Sequence, residues 1–113
     1  MKKIIMMFYF VISVIMFSKT ILIIESYHKE FEWDRSFNHG IKEMIGEGYT
    51  IQNFYMNTKK LPTTQYPERA DLAWQTYKES KPDLVVLADD NALRYLIERF
   101  AKEETPVVFL GIN

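Results

Sequence analysis

Cysteine is absent from the 113-residue chain, which excludes a disulfide framework, a thiolate metal site and a cysteine nucleophile. Glycine is scarce, at four residues, and none falls within Ser26-Tyr27-His28-Lys29-Glu30, the stretch after the first apolar strand pattern. The Gly-rich phosphate loop of a dinucleotide or nucleoside-triphosphate site is therefore missing there, and no Gly-x-Ser-x-Gly nucleophile elbow occurs. Neither sign of charge is in excess: 14 Lys and Arg face 15 Asp and Glu, for a formal net charge of −1. Without a basic stripe to neutralise phosphates, nucleic acid is not an expected partner. The longest apolar run, Ile4 to Phe17, has fourteen apolar or nearly apolar residues. It falls short of the ~20 needed to span a bilayer.

That run sits between Met1-Lys2-Lys3 and Ser18-Lys19-Thr20. Charged, apolar and polar regions in this order are those of a secretory signal, so residues 1–20 are expected to be a signal peptide. Met16 stands where cleavage favours a small residue, which keeps an uncleaved inner-membrane anchor open as the alternative. Either way the rest of the chain, 21–113, is expected outside the cytoplasm, in the periplasm or an equivalent compartment. Loss of the leader leaves a net charge of about −4. A composition 48% hydrophobic and 26% charged is that of one small globular domain.

From Thr20 onward, short apolar runs alternate with stretches of helical period, the pattern of βα units around a parallel sheet. Ile21–Ile24, Leu84–Leu87 and Val107–Leu110 are continuous apolar runs, as expected of strands covered on both faces. Tyr49–Met56 contains Gln52 and Asn53 and suits an edge. The spacing of Trp33, Phe37, Ile41, Met44 and Ile45 predicts a helix ended by Gly46 and Gly48. A second helix is predicted from about Pro67 to Ser80, with Ala70, Ala73, Trp74 and Tyr77 inward. A third is predicted from about Asn91 to Glu103, with Leu93, Leu96, Ile97 and Phe100 inward. The polar stretch 57–66 reads as a mobile loop. Right-handed crossovers then favour the strand order 2-1-3-4 in a three-layer α/β fold. Such an order reverses its winding between the first and third strands, which opens a ligand crevice at their C-terminal ends.

Three polar segments meet that edge: Glu25 to Asp34, Asp89-Asp90-Asn91, and Gly111-Ile112-Asn113. Hydroxyl, aromatic, amide and carboxylate groups in one place suit a small polar ligand. Ser26 is placed to donate to a ligand or to satisfy nearby backbone. Tyr27 and Trp33 offer stacking faces, although Trp33 also belongs to the apolar stripe of its helix. His28 reads as a solvated loop residue. One of Asp89, Asp90 and Asn91 should cap the third helix. A magnesium phosphotransfer site would need further carboxylates and a lysine after the fourth strand, so no metal and no cofactor are expected. Ser26 and His28 lie two positions apart on one loop, which does not suit a catalytic triad, and no enzymatic activity is expected.

Three stretches carry a family resemblance. They are Ile23-Ile24-Glu25-Ser26-Tyr27-His28 with Trp33-Asp34; Lys81-Pro82-Asp83-Leu84-Val85-Val86 leading into Ala88-Asp89-Asp90-Asn91-Ala92; and Thr105-Pro106-Val107-Val108-Phe109-Leu110-Gly111-Ile112-Asn113. In this order the chain resembles the extracytoplasmic solute-binding proteins of ABC transporters, of the periplasmic-binding-protein type I kind, and the related sensor regions of bacterial signalling proteins. The resemblance implies a two-lobed protein closing on an amino-acid-like solute, of which this chain is an incomplete first lobe. It also implies that Ser26, Tyr27, Asp90, Asn91 and Asn113 lie at the cleft. Expected partners are the solute and either a membrane permease or, for a histidine kinase or diguanylate cyclase sensor, the cytoplasmic signalling domains. With the facing wall absent, the chain by itself is expected to bind its solute weakly or not at all.

Overall fold

The computed structural model describes residues 19–112. Residues 1–18, on which the expected signal peptide or anchor falls, and Asn113 lie outside the described residues. Strand β1 (Lys19–Glu25) is central, and because it is covered on both faces, its alternate side chains feed two separate cores. Leu22 and Ile24 point to one face, and Ile21 and Ile23 to the other. The strand takes in Lys19 and Thr20, which pair with Tyr49 and Thr50, so the leader boundary drawn at Thr20 falls inside the strand. The Thr20 amide also donates to Asp83 Oδ2 at 2.8 Å.

Helix α1 (Glu32–Ile45) follows, then β2 (Tyr49–Tyr55), a 3₁₀ turn at Thr63–Gln65, α2 (Tyr66–Ser80), β3 (Leu84–Ala88), α3 (Asp90–Phe100) and β4 (Val107–Leu110). The four strands form one sheet in the order β2-β1-β3-β4, every neighbouring pair parallel. This is the α/β architecture and strand order expected from the sequence. α1 covers one face, packing Phe37, Ile41 and Ile45 on Ile21, Ile23 and Val86. α2 and α3 cover the other with Ala70, Ala73, Tyr77, Ala92, Leu96 and Phe100 against Leu22, Ile24, Val85 and Leu87.

Local chemistry fixes the helix ends. Pro67 lies in the first turn of α2, where a missing N–H costs nothing, and Lys81 in the left-handed conformation closes it with a bond to the Tyr77 carbonyl. α3 stops at Phe100 rather than Glu103, because the amides of Lys102 and Glu103 turn to the carbonyls three residues back and tighten the last turn.

Three expectations are corrected. Met44 is 90% exposed and Trp33 54% exposed, so neither belongs to the core. At about 100° per residue, Phe37, Ile41, Ile45 and Asn38 share one face of α1, and Trp33 and Met44 fall on its flank. Asn38 turns inward to reach Glu25, and this rotates the buried face away from both residues. Second, β4 is not buried on both faces as β1 and β3 are: Val108 and Phe109, which point to opposite faces, are each nearly half exposed, because the strand lies at the sheet edge, where the helices of neither face cover it fully. Third, the loop after β2 is tied down where it begins. Thr58 is buried and bonds through both its amide and its hydroxyl to the Ser26 carbonyl, and the Tyr66 hydroxyl donates to the Thr58 carbonyl.

Candidate functional site

Parallel pairing brings the C-terminal ends of β1, β3 and β4 to one rim, and the winding reverses between β1 and β3. Each candidate residue takes a definite place there. Ser26 is fully buried. Its hydroxyl donates to the Ala88 carbonyl at 2.7 Å and accepts from the Ala92 amide at 2.8 Å. Ala92 is the third residue of α3, so Ser26 caps that helix from another strand. Asp89 occupies the position before the helix without a side-chain cap bond, and the expected cap from Asp89, Asp90 or Asn91 is replaced by Ser26. Asn91 donates to Thr58 Oγ1 at 3.0 Å and ties α3 to the loop after β2. Ser26, Thr58 and Asn91 thus form a brace beneath the rim. Ser26 has no exposed surface, and both hydrogen bonds of its hydroxyl are internal.

Tyr27, Trp33 and Asp90 remain on the open side. Tyr27 meets Phe31 edge to face, with ring centroids 5.0 Å apart, and Lys59 Nζ stands 4.6 Å from each centroid. His28, expected to be solvated, instead turns its ring toward Phe31 at 5.6 Å, with Nδ1 buried. Asp89 is backbone-strained, at φ +70°, and its amide bonds to the Leu110 carbonyl at 2.8 Å. Its carboxylate faces β4 across Gly111, which has φ +66°. A Cβ at Gly111 would lie 2.7 Å from Asp89 Oδ1 and 3.2 Å from Trp33 Nε1, so only glycine lets carboxylate and indole close over the end of β4. Asn113 lies outside the described residues.

One polar cluster escapes a reading of the sequence. Glu25 has no exposed surface, yet it is a carboxyl at the end of β1. It accepts from Asn38 Nδ2 at 2.6 Å and Asn53 Nδ2 at 3.0 Å, with a further bond from the Tyr55 side chain. Asn53 also donates to Asn38 Oδ1 at 2.7 Å. Burial pushes the Glu25 pKa up to about 7; the Asn38, Asn53 and Tyr55 donors pull it down, and the Asp89 charge adds to the rise. Asn38, Asn53 and Tyr55 also floor an open cleft of about 980 Å³ between α1 and β2, whose walls carry Lys29, Arg35 and Lys42. The available signal is slight: Asn38 sits beside Phe37 of the apolar stripe of α1, and Asn53 stands in the strand opposite Ile23.

Among the described residues no group of three or more His, Cys, Asp or Glu side chains is arranged to hold a metal ion, and no helix is long and apolar enough to cross a membrane. No family model, no curated protein and no solved structure matches the chain. The geometry therefore defines the chain only as a four-stranded parallel α/β unit with a polar rim at its topological switch point.

Proposed function

We propose that the chain is a ligand-binding lobe that recognises a small, amino-acid-like organic solute outside the cytoplasm, as part of an ABC transporter's substrate-binding protein. The observation that carries this reading is the rim at the winding reversal, where Tyr27 follows β1, Asp90 follows β3, and Trp33 of α1 comes in over the end of β4 beside the buried Asp89. Flat apolar faces beside carboxylates match a solute with a hydrocarbon part and a charged or hydrogen-bonding part. Binding, not catalysis, is favoured because the hydroxyl of Ser26 is spent on Ala88 and Ala92 and is not paired with a base. The resemblance to periplasmic-binding-protein type I proteins supports the same assignment. Membership in a sensor of a histidine kinase or diguanylate cyclase would use the same rim for the same recognition.

Amide and indole NMR spectra of the full chain, titrated with the common L-amino acids to millimolar concentration, test the proposal. Shifts at Tyr27, Phe31, the Trp33 indole and Asp90 are expected at millimolar concentrations: of the weak or absent binding expected from the sequence, the proposal commits to weak binding. Spectra unmoved by every amino acid, or shifts centred on Arg35, Lys42 and Tyr55 in the other cleft, would refute it.

A further inference from the structure

The rim already holds an ammonium group, and it is the protein's own. Lys59 Nζ lies 4.6 Å from the centroids of both Tyr27 and Phe31, within the distance at which a cation is drawn to a ring face. The two rings are inclined at 72°, so they form two walls of a corner, and the imidazole of His28 flanks Phe31 at 5.6 Å. The walls and the cation come from different segments. Tyr27 and Phe31 lie between β1 and α1, and Lys59 reaches over from the loop after β2. That loop is held in place by Thr58 on the Ser26 carbonyl and by the Asn57 amide on the Tyr27 carbonyl, at 3.0 Å each.

Among the described residues no carboxylate holds Lys59 in place. The nearby Glu30 pairs with Lys60 at 3.7 Å, and among the described residues no ion pair involves Lys59. The aromatic corner itself holds the ammonium. Lys59 is solvent-exposed on a flexible four-carbon stem, so it is a tethered occupant that a competing cation can replace.

We infer that the Tyr27–Phe31 corner is the subsite for the ammonium group of the solute, a small organic cation with a primary or quaternary amine, and that Lys59 occupies it in the solute's absence. This rests on the reading of the rim as a recognition wall. It deepens that reading by assigning one functional group of the solute to one pair of rings.

The probe is choline, compared with its uncharged tert-butyl isostere, titrated into the full chain and into Lys59→Met. The substitution keeps the apolar stem and removes the charge. Choline should shift the ring resonances of Tyr27 and Phe31, the isostere at equal concentration should not, and the choline midpoint should fall several-fold in Lys59→Met. Equal responses to choline and isostere, or no response from the two rings in either protein, would overturn the inference. Amino-acid shifts at Trp33 and Asp90 would then show the recognition reading still standing, and their absence as well would remove both.

Discussion

Glu25 ends β1 with no exposed surface, and its carboxyl depends on two asparagines from different elements. Its pKa of about 7 in the fold lies above the ordinary 4.5, so the folded chain holds this proton more tightly than the unfolded chain. Its contribution to stability is therefore fully present below about 4.5, declines as pH rises toward about 7, and is flat above that. Chemical denaturation of wild type and Glu25→Gln across that interval should show a loss of at most about 3 kcal/mol in wild type and a flatter profile in the variant. Identical profiles would mean that Glu25 does not titrate with folding. Ser26→Ala removes both the cap on the Ala92 amide and the donor to Ala88, and should cost about 1–2 kcal/mol in urea unfolding. At this scale the sequence is least informative. A serine after a strand looks the same whether it faces a solute or caps a distant helix, and only the approach of α3 decides that Ser26 does the second.

Among the elements, β1 and β3 were legible because strands buried on both faces must be apolar throughout, and Leu22, Ile23, Ile24, Val85 and Leu87 are all fully buried. β4 has the same apolar text but lies at an edge, and composition alone does not separate the two situations. In α1 the apolar residues mark a broad stripe whose centre is set by the polar contact of Asn38 with Glu25, a term that hydrophobic spacing does not contain. The two sheet faces are also unequally covered. α1 seats Phe37, Ile41 and Ile45, all partly exposed, whereas α2 and α3 bury Ala70, Ala73, Tyr77, Ala92, Leu96 and Phe100 and interlock through the Trp74, Tyr77 and Phe100 rings at 4.8–5.0 Å. Local opening should follow burial. Hydrogen exchange is expected to be faster in the middle of α1 than in the middle of α3, and the reverse order would show that α1 is held by more than its three apolar contacts.

For the molecule as a whole, strand order and crossover hand are enough to place the rim, because a parallel sheet wound 2-1-3-4 has one switch point. That much followed from the alternation of short apolar runs with helical stretches. What the rim exposes did not, since it depends on which polar side chains the brace beneath consumes. Ser26 and Asn91 go to the brace, Trp33 is freed by the rotation of α1, and Tyr27 joins Phe31 and Lys59. The central claim is that this rim recognises a small organic solute. Intermolecular nuclear Overhauser effects between a titrated L-amino acid and the full chain test it most directly. Contacts from the amino acid to the ring protons of Tyr27 and Trp33 are predicted, and contacts to Tyr55 and Arg35 in the α1–β2 cleft, or none to any residue, would contradict it.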